Sequence, residues 1–164
     1  MLDDIEYHYI VDEILNDKEF MKLKSFKHHG ISRYEHSLIV SYKAYKYAKK
    51  HNLDYVSVAK AGLLHDFFVN SDNPNMYERF ITTFKHTKLA SSNAYKQFGI
   101  NELESNIIEA HMFPINTTLP KHKESWVVNL IDKKVSILDW LNTLKYKTGY
   151  VCNLFVLFLF NSLK

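Results

Sequence analysis

The chain has 164 residues, of which 46% are hydrophobic and 24% are charged. This composition is typical of one globular domain with its own core, and a net charge of +3 is too small to indicate nucleic-acid binding by itself. The single cysteine, Cys152, excludes an internal disulfide framework and favours the reducing cytoplasm. The acidic start lacks the layout of a signal peptide. We therefore expect one cytoplasmic domain over residues 1–164.

The fold class follows from turn residues and apolar spacing. Only 4 Gly and 3 Pro occur, whereas strand-rich folds usually need more turn residues. The apolar spacing is helical in most windows, which predicts an all-α helical bundle with short connections. The first predicted helix covers residues 2–15. Its inner face is predicted to carry Ile5, Ile14 and either Tyr9 or Ile10.

The second predicted helix has a clear start. Ser32 and Glu35 form a capping-box pattern, with Ser32 as the N-cap. The predicted apolar stripe consists of Val40, Ala44, Tyr47 and Ala48. His36 lies four residues before Val40 and so faces the core from the first turn. Asn52 is a plausible terminator of this helix.

The middle of the chain predicts two further helices. The first runs from about 54 to 68, and its inner residues are Ala61, Leu64 and Phe68. The pair His65–Asp66 lies near its end, and a loop over 69–75 follows. A fourth helix is expected after His86, with Gly99 as its stop. Its inward residues are predicted to be Leu89, Ala90, Ala94 and Phe98.

Two more helices complete the predicted bundle. Asn101 and Glu104 form a second capping pattern, and the short helix after them carries Ile107, Ile108 and His111. A loop with two Pro spans 112–123. The sixth helix is expected to begin near Glu124. Its inward residues are predicted to be Val128, Ile131, Asp132, Val135 and Leu138.

The C-terminal segment is almost wholly apolar over 150–160. It is too short to cross a bilayer as a helix, which needs about 20 residues, so no transmembrane segment is expected. The favoured interpretations are a buried last helix or a surface for a homo-oligomer, and peripheral membrane contact is a weaker alternative. Trp126 and Trp140 are interpreted as core or interface residues.

Side chains that bind divalent metals recur in a fixed order along the chain. They are His36, the adjacent pair His65–Asp66, His86, His111 and Asp132. Each lies on or beside a face predicted to be buried, where imidazole and carboxylate groups are costly without partners. One or two divalent ions would supply partners to all six at once. For His86 and His111, the alternative interpretation is that of structural core histidines.

The donor set restricts the chemistry. Nitrogen and oxygen ligands without Cys suit Mn, Fe, Co, Ni, Zn or Mg, and they exclude a thiolate zinc site. Because the Asp66 carboxylate has two oxygens, it can bridge two ions. The first ion is assigned to His36, His65, Asp66 and Asp132, and a second ion to Asp66, His86 and His111. A paired site would activate water and clamp phosphoryl oxygens.

These residues resemble the H…HD…D pattern of the HD superfamily of metal-dependent phosphohydrolases. The strings RYEHS, AGLLHD and IDK strengthen the resemblance, which spans residues 30–140. His86 and His111 are similar to the two extra histidines of binuclear branches, such as the HD-type symmetrical dinucleoside tetraphosphate hydrolases and the HD-GYP phosphodiesterases. The GYP part is absent. The resemblance implies an α-helical fold with the metal site in a cleft between helices.

The leading functional hypothesis is a phosphomonoesterase, phosphodiesterase or pyrophosphohydrolase that uses metal-activated water. The substrate would be a phosphorylated small molecule, with a nucleotide favoured. The candidate catalytic residues are Asp66, Arg33 and Lys133. Arg33 is one turn before a ligand and Lys133 is adjacent to one, so each is a candidate for binding phosphate. The favoured alternatives are an ordinary surface position for Arg33, and a solvated charge or ion pair for Lys133. No general acid or base can be named.

Three alternatives remain open, of which one is other HD chemistry such as metal-dependent oxygenation. The chain can be a catalytically weak HD-type nucleotide-binding or sensor module, which keeps its metal without useful turnover. It can also be a purely structural helical protein with core histidines.

Overall fold

A computed structural model describes residues 4–28, 31–68 and 76–162. The predicted loop at 69–75 and the side chains of the apolar tail at 150–160 lie outside the described residues. The helices are α1 (Ile5–Leu15), α2 (Lys18–Met21), α3 (Arg33–Lys50), α4 (Tyr55–Leu64), α5 (Met76–Phe98), α6 (Glu102–Ala110) and α7 (Lys123–Ser162). A short 3-10 helix at Lys22–Ser25 and a two-residue antiparallel pair, β1 (Lys27–His28) with β2 (Ile31–Ser32), complete the described elements. The all-α prediction is confirmed.

The helix boundaries follow local chemistry. Ser32 and Glu35 form the predicted capping box at the start of α3, and Asn101 with Glu104 forms the one at the start of α6. Asn52 and Gly99 follow the ends of α3 and α5 with positive φ values of 54° and 61°. This left-handed conformation ends a helix and is tolerated best by Gly and Asn.

The inner face of α1 differs from the prediction. Tyr7, Val11 and Ile14 are buried, whereas Ile5 and Tyr9 are 84% and 86% exposed. Both sets have helical spacing, so the spacing alone does not choose between them. The Tyr7 hydroxyl selects the observed face because it donates to Ser41 Oγ at 2.9 Å, deep in the core.

The core is centred on the contact between α3 and α4. Gly62 of α4 lies so close to α3 that a Cβ added there would be 3.1 Å from Ser41 Cα. Ser41 Oγ also donates to the carbonyl of Ala59 at 2.6 Å, which ties the two backbones together. This close approach places the start of α3 beside the end of α4.

Several predicted inward residues face outward instead. Leu89, Tyr47 and Leu138 are 49%, 49% and 42% exposed, and the two tryptophans Trp126 and Trp140 are 41% and 53% exposed. The core interpretation of the tryptophans is therefore wrong.

Two helices are longer than predicted. Helix α5 begins at Met76, so His86 lies inside it rather than before it. Helix α7 has 40 residues and continues through the apolar 150–160 segment, which is the end of this helix and not a separate one. At about 1.5 Å per residue, α7 is about 60 Å long. Among the described residues, no helix is both long and apolar enough to cross a membrane.

Candidate metal centre

Five helices bring the six predicted ligands together. His36 closes the first turn of α3, His65 and Asp66 directly follow α4, and His86 lies within α5. His111 directly follows α6, and Asp132 lies in the buried face of α7. All six residues are buried. Apart from the adjacent pair His65–Asp66, these residues are far apart in sequence, and only the packing of the bundle makes them neighbours.

One half of the centre is built around Asp132. Its Oδ1 lies 2.9 Å from His36 Nε2 and 3.6 Å from His65 Nε2. The ligand atoms of these three residues are close enough to one another to bind one ion. Three buried donors around one point are the arrangement that a divalent cation needs.

The other half is built around Asp66. Its Oδ1 lies 3.6 Å from His86 Nε2 and 3.8 Å from His111 Nε2. Its Oδ2 lies 3.9 Å from His65 Nε2. His65, Asp66 and His111 form a second group that can hold an ion. The two oxygens of Asp66 thus face different histidines. This group contains His65 in place of the predicted His86, and Asp66 is not part of the group around Asp132.

Two of the histidines are oriented by the helices that precede them. His65 Nδ1 is 2.8 Å from the carbonyl oxygen of Gly62, and His111 Nδ1 is 2.7 Å from that of Ile108. Each carbonyl lies three residues upstream, at the end of a helix. Since a carbonyl can only accept, each Nδ1 carries a proton, and Nε2 is the nitrogen that faces the carboxylates, where an ion would bind.

The electrostatics show how the carboxylates dominate the buried cluster. Burial lowers the pKa of the His65 imidazole, but the nearby carboxylates of Asp66 and Asp132 outweigh it and raise the pKa to about 9. Burial would raise the pKa of Asp132, but hydrogen bonds with His36 and His65 hold it well below its usual range. His111 differs, because burial lowers its pKa to about 4. The centre thus favours positive charge near its two carboxylates.

Arg33 lies near the centre and is 6% exposed. Its Nη1 donates to the carbonyl of Phe68 at 2.5 Å, and its guanidinium lies 3.9 Å from the centre of the Phe68 ring. Burial lowers the pKa of Arg33, and the charge of Asp66 opposes that shift. Within the described part of the chain, Arg33 Nε is buried without a hydrogen-bond partner. The predicted surface alternative for Arg33 is wrong.

Lys133 contacts the backbone beside the centre. Its Nζ donates to the carbonyl of His111 at 3.0 Å, and burial lowers its pKa, against the charge of Asp132. Asn129, one turn earlier on α7, donates from Nδ2 to the carbonyls of Ala110, His111 and Phe113 at 3.0, 2.8 and 2.9 Å. These α7 side chains hold the end of α6, where His111 is carried.

Sequence reasoning missed Asn129 and also Asp139, whose Oδ2 lies 3.5 Å from His36 Nδ1. The spacing on α7 was a usable signal, because Asp139 is two turns after Asp132 and therefore on the same face. Asn93 of α5 donates from Nδ2 to the carbonyl of Phe67 at 3.1 Å and so supports the segment after Asp66.

Comparison with protein families identifies the class. The HD domain model matches residues 33–137, which is well over half of the chain. The chain belongs to the HD domain family, a family in the superfamily of metal-dependent phosphohydrolases, and its buried His/Asp groups can hold a metal. Comparison with curated proteins and with solved structures gives no significant match.

Proposed function

We propose that this protein is a metal-dependent phosphohydrolase that cleaves a phosphate ester or anhydride of a small molecule, with a nucleotide as the favoured substrate. The observation that carries the proposal is the buried carboxylate of Asp66. One oxygen faces His65, and the other faces His86 and His111 at 3.6 and 3.8 Å. A buried carboxylate shared in this way supports a centre for two ions.

The residues fit divalent ions in number and chemistry. The donors are imidazole nitrogens and carboxylate oxygens, which suit Fe, Mn, Co, Ni, Zn or Mg. His36, His65, Asp66 and Asp132 would hold the first ion. Asp66, His86 and His111 would hold the second. When bound, such ions supply an activated water and neutralise charge on phosphoryl oxygens.

The contribution of Arg33 would be to bind the phosphate of the substrate. A buried guanidinium is costly unless an anion pairs with it, and Arg33 is 6% exposed and feels the charge of Asp66. Its Nη1 is fixed on the Phe68 carbonyl, while Nε has no partner in the same part of the chain. A phosphoryl oxygen would meet this remaining donor and the positive charge together.

Lys133 has a smaller part in the proposal. Its bond to the His111 carbonyl supports a role in holding the second half of the centre. An ammonium group has three donors, so binding this carbonyl leaves donors that could face a phosphate.

A substrate panel on metal-reconstituted protein tests the function. Purified protein would be loaded separately with Mn, Fe, Co, Ni, Zn and Mg, then assayed with nucleoside mono-, di- and triphosphates, dinucleotides and an aryl phosphate. Asp66→Asn is the matched inactive variant, since it removes the shared charge and keeps the size. We expect turnover by the wild-type protein and none by Asp66→Asn. Binding of a nucleotide without turnover would favour the sensor module, and binding of neither metal nor nucleotide would favour the structural alternative.

Two expectations from the sequence belong to the same proposal. The single Cys152 supports a cytoplasmic location. The apolar stretch 150–160 supports a homo-oligomer. Size-exclusion chromatography with light scattering on the full chain tests the second expectation.

A further inference from the structure

The two ring nitrogens of His36 both face carboxylates of α7. Nε2 lies 2.9 Å from Asp132 Oδ1, and Nδ1 lies 3.5 Å from Asp139 Oδ2. The two acids are seven residues apart, which is two helical turns, so both project from one face of α7. One histidine of α3 thus contacts two consecutive acidic positions of that face.

His36 is supported differently from His65 and His111. Those two rings are oriented by the carbonyls of Gly62 and Ile108, which belong to their own helices. The Nδ1 of His36 faces a charged side chain from a different helix. The His36 side chain is fully buried, while that of Asp139 is 16% exposed. The partly exposed Asp139 carboxylate therefore lies between the buried His36 ring and the protein surface.

We propose that Asp139 is a positioning residue. It holds the His36 ring with Nε2 towards the first ion and raises the affinity of that half of the centre. The proposal rests on the metal binding within the proposed function and is independent of hydrolysis.

The physical basis is the hydrogen bond from Nδ1–H to the carboxylate. With an ion bound at Nε2, it keeps the ring proton on Nδ1, and it makes Nε2 a stronger donor to that ion. A neutral acceptor would keep the orientation and lose the charge. Removal of the acceptor would lose both, and partners of this kind typically contribute about 10- to 100-fold in metal affinity.

Zn²⁺ titration of the full chain against a competing chromogenic chelator measures this effect. Asp139→Ala is expected to weaken Zn²⁺ binding about 10- to 100-fold, and Asp139→Asn, which keeps an acceptor, is expected to fall between Ala and wild type. Asp12→Asn and Asp12→Ala are the matched controls, because Asp12 is exposed on α1 and its loss changes the net charge equally. Both controls should bind Zn²⁺ like wild type.

A nitrogen-15 NMR spectrum of the Zn²⁺-loaded protein separates positioning from a general loss of structure. In Asp139→Ala, the Nδ1 proton of His36 should exchange faster, while those of His65 and His111 stay protected. Asp139→Asn should restore protection of His36. Melting temperatures of the metal-free variants should match that of wild type.

The proposal is overturned if Asp139→Ala binds Zn²⁺ like wild type. It is also overturned if the variant loses affinity together with protection of His65 and His111, because Asp139 would then support the fold. Wild-type protein that binds no divalent ion would overturn the proposed metal centre itself. The two failures can be told apart: in the first, wild-type protein binds no ion, and in the second, wild type and Asp139→Ala bind Zn²⁺ equally well.

Discussion

Lys133 Nζ donates to the main-chain carbonyl of His111 across 3.0 Å. Asn129, four residues earlier on α7, donates to the same carbonyl at 2.8 Å. The carbonyls at a helix end have no partner within the helix. Helix α7 therefore supplies the donors that α6 lacks at its end. The position of His111 depends on a helix that does not carry it.

Replacement of Asn129 by Ala should lower the free energy of unfolding by about 1–3 kcal/mol. Asn129 is buried, and its loss would leave the carbonyl of Phe113 without this donor, at the typical cost of an unsatisfied group. The Ala110 carbonyl would still accept from the Phe113 amide. Denaturant unfolding measures the change. Asn16→Ala removes an exposed amide that bonds one carbonyl and should change stability by no more than about 0.5 kcal/mol. Equal stability losses in both variants would contradict the account.

Replacement of Asp66 by Ala should abolish metal binding, since in the proposed centre both ions share its carboxylate, which lies near His65 and His86. Metal should then no longer raise the melting temperature, because only binding to the native state stabilises it, by about 2.7 kcal/mol at 100 times Kd. Elemental analysis and thermal melting with and without Mn²⁺ check this. Asp12→Ala should keep the metal-induced shift. A folded Asp66→Ala protein with full metal content would contradict the assignment of Asp66.

The double replacement of His86 and His111 by Ala should leave about one ion per chain, where wild type should approach two. Both residues contact Asp66 Oδ1, whereas the His36–Asp132 pair is built from other helices. Anomalous scattering from crystals of both proteins counts the ions. His122→Ala, at an exposed position, is the control. A single metal peak in wild type, with both imidazoles directed elsewhere, would favour a mononuclear centre.

Arg33→Lys should lower kcat/KM for any good phosphorylated substrate by about tenfold or more, on the order of 1.4 kcal/mol of transition-state stabilisation. Lys lacks the planar fork that binds both a carbonyl and a phosphate. Steady-state kinetics on the best substrate of the panel measures this, and metal content should stay unchanged. If Arg33→Lys had the kinetics of wild type, Arg33 would have no part in substrate binding. If the variant lost both its metal and its activity, the role of Arg33 would be structural.

Gly62→Ala should destabilise the protein by up to about 2 kcal/mol. The added methyl would lie 3.1 Å from Ser41 Cα. Because this atom belongs to the backbone of α3, it cannot move aside as easily as a side chain. Overpacking of this kind costs about 1–3 kcal/mol, against a gain in helix propensity of about 1 kcal/mol. Chemical denaturation measures the balance. A variant more stable than wild type would mean that α3 shifts easily, and with it His36.

The sequence predicted those features that depend on local chemistry. The capping boxes at Ser32 and Asn101 and the terminators Asn52 and Gly99 are read from a few adjacent residues, and the structure confirms all four. The six residues proposed as ligands are also buried neighbours. Burial of imidazole and carboxylate groups is costly enough that their pattern points to a shared partner.

Features that depend on contacts between helices could not be predicted in the same way. The rotation of α1 follows from the bond between Tyr7 and Ser41, which are 34 residues apart. The support of His111 by Asn129 joins α6 and α7, and no spacing within either helix reports it. Asp139 shares a face with Asp132, but only the packing of α7 on α3 brings it to His36.

The direct contact between His36 and Asp132 joins positions 96 residues apart. The entropy of closing so long a loop has to be overcome before these two side chains meet. Of the six proposed ligands, only His65 and Asp66 are adjacent in the chain, so an unfolded chain offers few of the six to an ion at once. Capture of metal during refolding should therefore be a late event, after α3, α4 and α7 have assembled. The rate at which metal becomes bound would then report the rate of the last folding step.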